Sequence, residues 1–277
     1  MKTEFEPGIP VALNSRVRRL TAPNPGVMTG PGTNTYLLGE EQVAVLDPGP
    51  LIDSHVEAIL AAAGERIRWI VATHTHPDHS PAWLPIKEAT GAQAIGARPW
   101  DDMFQDDTFA PEVEVSHDYR LAADEFTLAA VHTPGHVGNH YCYFLEEEGM
   151  LFTGDHIMNG STVVIVPPSG DMKAYIDSLE LLRDYPLRSM APGHGAVIED
   201  PMGAVDWLID HRLGRERKVV AGLEALGRAD VDQLTPVVYD DVDPSIHHMA
   251  RLSLTAHLIK LEREGRARRE EEYWALD

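Results

Sequence analysis

Trp69-Ile70-Val71-Ala72-Thr73-His74-Thr75-His76-Pro77-Asp78-His79-Ser80 decides how the chain is read. An apolar run leads straight into three histidines and an aspartate packed within six positions. His74 and His76 alternate with Thr75, so both side chains leave the same face while the backbone is extended. Pro77 favours a turn, and Asp78 and His79 then face a second, adjacent position. Imidazole nitrogen and carboxylate oxygen are donors that zinc and similar divalent ions accept. A solvated polar loop accounts for a lone histidine but poorly for this density. The stretch predicts a metal site at a strand end, with its remaining ligands supplied elsewhere.

The rest of the chain repeats the pattern. Apolar strands end at Asp47, at His74, at His136 in His132-Thr133-Pro134-Gly135-His136, at Asp155 in Thr153-Gly154-Asp155-His156, and at His194 in Pro192-Gly193-His194-Gly195. Strands alternating with helices, each delivering a polar group from the same end, are how a layered α/β protein builds a site at one edge of its sheets.

The expected strands are 17–20, 33–38, 42–46, 68–72, 93–97, 126–131, 141–145, 150–152 and 189–191. Ser54-His55-Val56-Glu57 has the capping-box pattern, with Val56, Ile59, Leu60 and Ala63 following at helical spacing. Further helices are expected over 81–90 and 172–182. Residues 99–115 read as an acidic, irregular segment anchored by Trp100, Met103 and Phe104. Glu146-Glu147-Glu148-Gly149 reads as a solvated turn. From about Ala204 the texture changes. A long helical pattern covers 205–226, and 230–242 is short and polar with Pro236. A second helical pattern follows Pro244, and 266–274 reads as a small hairpin or wing. Two domains are therefore expected, 1–204 and 205–277.

The 277 residues are 43% hydrophobic, enough for a sizeable core, and carry a formal charge of -21. That field disfavours loose electrostatic binding to nucleic acid or anionic membrane. Cys142 is the single cysteine, so no intrachain disulfide forms, and its apolar neighbours mark it as a core thiol. Met1 to Pro7 holds no apolar signal core, and no stretch is long enough to span a membrane. A cytoplasmic protein is the default expectation.

The combination Asp47, His74-x-His76-x-Asp78-His79, His136, Asp155 and His194 resembles the metallo-β-lactamase superfamily. It covers roughly the first two hundred residues in the family's order. Asn24-Pro25-Gly26 with Met28-Thr29, Gly32-Thr33-Asn34-Thr35-Tyr36-Leu37, the Pro192 to Gly195 ending and the C-terminal module look more narrowly like the lactamase-beta-like-2 group. The resemblance implies an αββα sandwich with ligands on loops at one edge, followed by a mostly helical winged-helix-like domain. It also implies two divalent ions. His74, His76 and His136 would hold the first, and Asp78, His79 and His194 the second. Asp155 would bridge them, where zinc lactamases often carry cysteine. A bridging hydroxide would attack a carbonyl or phosphoryl centre. Asp78 would also move a proton, and Asp47 would hydrogen-bond the water or a ligand, unless it simply shapes the turn before Pro48. Zinc is the default, and iron or manganese stays open because no thiolate selects for zinc.

The leading expectation is a two-metal hydrolase of a small ester, thioester, amide or lactone-like substrate. A single-strand endoribonuclease, as in the resembling group, is the second. A ligand-sensing nucleic-acid-binding regulator is the third. From Val205 onward there are 11 basic against 15 acidic side chains, which lowers both nucleic-acid readings. Asn139 and His140 are candidates for substrate contact, with packing roles as the plainer reading. The module walls the cleft or joins copies into a homo-oligomer in the small-substrate reading.

Overall fold

A computed structural model describes residues 4–100, 102 and 104–277. The chain forms two compact units, neither of them one run of sequence. The first takes the chain up to Thr133, Asn139–Ser161 and Tyr185–Pro201, and the second takes Pro134–Gly138, Thr162–Asp184 and Met202–Asp277.

The first unit is two facing sheets. One contains β1 (Val11–Ala12), β2 (Val17–Thr21), β3 (Asn34–Leu38), β4 (Val43–Leu46), β5 (Ile67–Val71), β6 (Gln93–Gly96) and β7 (Val113–Glu114), side by side in that order. The pairings from β1 to β4 are antiparallel, and those from β4 to β7 are parallel. Helices α1 (Asp53–Ala63) and α2 (Trp83–Thr90) make the crossovers that parallel strands require. The other sheet runs β12-β11-β10-β9-β8, built from β8 (Arg120–Ala122), β9 (Thr127–His132), β10 (Tyr141–Leu145), β11 (Met150–Gly154) and β12 (Ser189–Pro192).

Alternation along the strands sorts side chains between two cores. Tyr36, Leu38, Ala44 and Leu46 pack between the sheets with Leu128, Ala130, Tyr143 and Phe152. Leu37, Val43 and Val45 point the other way, onto Ile59, Ala63 and Ile86 of the two helices. Strand β4 is thus covered on both faces, which is why it reads as a continuous apolar run, and β5 is apolar from Trp69 to its end, with Arg68 exposed near its start. The burial leaves only their ends to carry polar chemistry.

Several expectations need correcting. Helix α1 starts at Asp53, its N-cap is Ile52, and no side chain caps it, so Ser54 closes no capping box. His55 is instead fully buried and meets Thr35 Oγ1 at 2.8 Å. Trp100 and Phe104 are exposed and anchor nothing, and Met103 lies outside the described residues. Phe109 does the anchoring, buried edge-on against Trp83. The glutamate turn is less idle than expected: Glu148 pairs with Arg16 at 2.6 Å and Glu147 accepts the Thr127 amide.

The second unit holds α3 (Met172–Leu181), α4 (Pro201–Leu226), α5 (Val231–Val238), α6 (His247–Arg263) and a hairpin of β13 (Ala267–Glu270) and β14 (Tyr273–Leu276). Helix α5 replaces the expected short polar stretch, although Pro236 sits inside it. Its capping box, Asp230 with Gln233, was the available signal. Val219, Leu223, Leu234, Val238, Leu254, Leu258 and Trp274 form the core of this unit. Ala229 pairs with Trp274 through an isolated antiparallel bridge beside the two-stranded wing. A buried ion pair, Lys260 to Glu216 at 2.6 Å, ties α6 to α4. Arg266 also reaches Glu216 at 2.6 Å and Glu264 reaches Lys260 at 2.9 Å, so the pair belongs to a small network in which loss of one partner leaves the other still matched.

Candidate metal centre

Strand β5 ends at Val71, and Thr73 to Ser80 then turn across the sheet edge. In the first unit the ligating atoms of Asp78, His79 and His194 all lie within 4.8 Å of one another, as do those of His74, His79 and Asp155. Asp78 Oδ2 lies 3.2 Å from His194 Nε2 and 3.5 Å from His79 Nε2. Asp155 Oδ1 lies 3.3 Å from each of the same two nitrogens. Donors about 2.0–2.2 Å from a tetrahedral ion stand roughly 3.3–3.6 Å apart. The spacing therefore fits a divalent ion. His74 Nε2 and His76 Nδ1 face each other at 3.0 Å, as neighbouring donors would.

The far sides of the His79, His194 and His74 rings are anchored. His79 Nδ1 meets Asp47 Oδ2 at 2.9 Å, and His194 Nδ1 meets the Gly32 carbonyl at 3.3 Å. His74 Nδ1 meets Thr73 Oγ1 at 3.0 Å. Holding Nδ1 on an oxygen acceptor leaves the Nε2 lone pair facing inward, the arrangement common to metal-binding histidines. His136, whose Nδ1 lies 2.7 Å from the Val164 carbonyl, has the same anchoring. Of the seven expected ligands, six lie in the first unit and His136 in the second.

Asp47 stands behind this layer. Its φ of 49° is left-handed, a conformation that aspartate tolerates better than most residues. Its carboxylate accepts the Thr73 amide at 2.7 Å, the Thr73 hydroxyl at 2.9 Å and the His79 ring. It thus both fixes the turn and orients the His79 ring.

Electrostatics favour positive charge at this point. Burial opposes charging His79, but the carboxylates of Asp78, Asp155 and Asp47 outweigh it and hold its pKa well above the ordinary value. Burial is likewise outweighed at His194, where Asp155 and Asp78 bring the pKa up to about 9. Burial alone would raise the Asp78 carboxyl, but His79 and His194 bring it down to about 2. His74 goes the other way. Burial and the neighbouring imidazoles push it well below the usual range, keeping its lone pair available.

Asn139 and His140 hold the scaffold. Asn139 donates to Thr75 Oγ1 at 2.8 Å and to the Arg98 carbonyl at 2.9 Å. His140 Nε2 accepts the Asp155 amide at 3.2 Å, and its Nδ1 meets Thr133 Oγ1 at 2.9 Å. Thr133 Oγ1 in turn donates to Cys142 Sγ, whose thiol points at the Thr153 carbonyl. Burial pushes that thiol up to about 12, as expected of a core cysteine.

Sequence reasoning missed Thr33 and Thr73. Thr33 Oγ1 donates to Asp78 Oδ2 at 3.1 Å and accepts from Asn24. Neither threonine carries a ligand signature, although Thr73 directly precedes the motif. The reason for the glycines beside ligands is also visible. A Cβ on Gly193 would come within 2.7 Å of His79 Cε1 and 2.8 Å of Asp155 Oδ1. One on Gly154 would come within 2.5 Å of Thr73 Oγ1, at a φ of +46°. Only glycine lets the backbone run this close to the donors.

Comparison with known proteins agrees with this geometry. Residues 28–194 match the family described as the metallo-beta-lactamase superfamily. Residues 231–274 match the beta-lactamase associated winged helix domain. A beta-lactamase-like protein 2 homolog of Drosophila melanogaster is 34% identical, covering 92% of this chain and 91% of that protein. An atrochrysone carboxyl ACP thioesterase of Aspergillus chevalieri is also 34% identical, covering 76% of this chain and 67% of that protein. The crystal structure of a metallo-beta-lactamase family protein from Thermus thermophilus superposes with a TM-score of 0.77 at 21% identity, covering 96% of this chain and all of that one. The chain belongs to the metallo-β-lactamase superfamily and is a hydrolase of that fold with a C-terminal winged-helix domain.

Proposed function

We propose that the chain is a two-ion hydrolase of a small acyl substrate, with thioesters the first class to try and esters, amides and lactones next. His74, His76 and His136 would hold one ion, and Asp78, His79 and His194 the other, with Asp155 as the seventh ligand. Zinc suits this nitrogen and oxygen donor set, and iron or manganese would also be accepted. The reading rests above all on four donors of Asp78, His79, Asp155 and His194 meeting at 3.2–3.5 Å with their rings anchored from behind. The acyl class is supported by the fungal relative named as an ACP thioesterase. Residues 1–204 form the catalytic domain in this reading, and 205–277 the winged-helix domain. A cytoplasmic setting suits a chain whose single cysteine is a buried thiol.

Divalent ions held there would make a hydroxide available near neutral pH and would polarise an acyl carbonyl. The chain does the positioning. Asp47 fixes the His79 ring, and Thr33 fixes the Asp78 carboxylate. His140 fixes the backbone from which Asp155 projects. Asp78 stays ionised at neutral pH, which suits a ligand and proton acceptor better than a proton donor.

The wing fits a nucleic-acid reading less well. Arg268 pairs with Glu270 and Asp277, Arg228 with Glu270, and Arg251 with Asp232. Cations already matched by carboxylates have little left for phosphates. Metal analysis of purified protein tests the proposal together with turnover of a thioester, a lactone, a phosphodiester and short single-stranded RNA. Two ions per chain with thioester or lactone turnover is the expected result. Turnover of RNA alone would replace the substrate class, and no ion with no turnover after reloading would sink the catalytic reading.

A further inference from the structure

Six of the seven proposed ligands sit on strand ends or turns of the first unit, but His136 is carried by the segment Pro134–Gly138 of the second. What orients its ring therefore has to be sought among the helices of that unit. The Nδ1 of His136 meets the Val164 carbonyl at 2.7 Å. One residue earlier, the Val163 carbonyl accepts from Arg212 of α4 at 2.6 Å. Arg212 is 3% exposed, and its guanidinium lies 5.2 Å over the Tyr175 ring of α3. Tyr175 packs in turn on Gly135, where a Cβ would come within 2.4 Å of the Tyr175 Cα. One buried arginine thus touches both things that locate His136: the segment whose Val164 carbonyl orients its ring, held one residue earlier at Val163, and the aromatic residue under its backbone.

A second, weaker tie runs in parallel. The Asp171 amide donates to the Gly135 carbonyl at 2.9 Å, and the Asp171 carboxylate pairs with Arg263 of α6. Arg263 is exposed, so solvent screens that pair, whereas Arg212 works in a dry setting. Arg212 is an unusual residue to bury here for structural reasons alone. Its charge faces His211 and His257, and its Nε finds no hydrogen-bond partner.

We propose that Arg212 is a positioning residue for His136. Through it, the helices of the second unit set the orientation of the His136 ring. The inference rests on the reading of His136 as a ligand. Loss of a partner behind a metal-binding histidine typically weakens the ion by roughly 10–100-fold.

The test uses the full chain, stripped of ions and titrated with Co2+ against a competing chelator. Arg212→Met keeps the length and apolar stem while removing the donor. We expect it to hold one ion as the wild type does and the other roughly 10–100-fold more weakly, with an altered Co2+ absorption spectrum. Arg212→Lys should recover part of the loss, and Arg263→Met should change affinity less than Arg212→Met. Both ions bound with wild-type affinity by Arg212→Met would overturn the inference. So would a parallel weakening of both ions with a lowered melting temperature, which marks a merely structural role. If Arg212→Met does not fold, Arg212→Lys decides: a selective loss of one ion supports the inference, and two ions at wild-type affinity overturn it. His136→Ala separates the two failures. If it still binds two ions tightly, the ligand reading of His136 has failed, whatever Arg212 does.

Discussion

His79 and His257 are both 0% exposed, yet the protein treats them in opposite ways. His79 is faced by the carboxylates of Asp47, Asp78 and Asp155, and its pKa stands well above the ordinary value. His257, on α6, is pushed well below it by burial and by Arg212, Lys260, Arg215 and His211. The two residues share a side chain and a degree of burial, and their surroundings make one ready to hold positive charge and the other refuse it. Histidine density alone is therefore a poor guide to a metal site. Carboxylates within reach of the rings, and acceptors behind them, are what separate the two regions.

The comparison can be broken most severely at Asp155. Asp155→Ala removes the carboxylate that reaches both His79 and His194, and it should cost at least one ion per chain. Turnover should fall by roughly 10²–10³-fold or more, the scale on which a preorganised charge-stabilising group matters. Metal analysis and steady-state rates check this, and two ions retained with full turnover would contradict it. Asp47→Asn is gentler, because it keeps the shape, although its NH2 replaces one accepting oxygen and so gives up a hydrogen bond to Thr73 or His79 along with the charge. Metal affinity should weaken by about 10–100-fold while the fold persists. A chelator titration followed by circular dichroism would show whether affinity moves without the fold.

His257→Leu works from the other side and should leave metal content untouched. Its signature is in pH. The folded pKa of His257 lies below the unfolded value of 6.5, so the unfolded chain binds the extra proton. Stability is then complete above pH 6.5 and declines as pH falls below it toward the folded pKa, by about 1.4 kcal/mol per pH unit for one such group. His55, brought down to about 4 chiefly by burial, adds a decline over pH 6.5 to 4. Replacing His257 should remove its share of that slope and leave the share of His55. Chemical denaturation of ion-free protein at pH 7.5 and 5.5 measures the difference, and an unchanged slope would show that His257 is already protonated when folded.

The parts of the fold legible in the sequence were those carried by local pattern. The apolar runs of β4, β5 and β10, the Gly-Asp and Gly-His endings, and the order of ligands all follow from residues close together in the chain. What escaped was set by distance in sequence. Thr33 reaches Asp78 across 45 positions and Asn34 reaches the Pro192 carbonyl across 158, and no periodicity announces such partners. Helix α5 escaped for the opposite reason, since a strong local rule against internal proline hid a capping box of equal standing. The grouping of Pro134–Gly138 and Thr162–Asp184 with the C-terminal helices was invisible too, because only packing reveals it.

The buried chain from Asp155 to Cys142 has a polarity. A backbone amide can only donate, so the Asp155 N–H commits His140 Nε2 to accept and places the ring proton on Nδ1. That proton goes to Thr133 Oγ1, which also accepts the Cys142 amide and so must spend its own hydrogen on Cys142 Sγ. The thiol hydrogen is left to point at the Thr153 carbonyl. A single peptide group thus selects one tautomer and one rotor direction over four residues. The lone cysteine of the chain, unremarkable as a thiol, becomes the end of a wire that carries orientation rather than charge. Serine could keep the direction of that wire, and alanine would leave the Thr133 hydroxyl with nowhere to send its hydrogen.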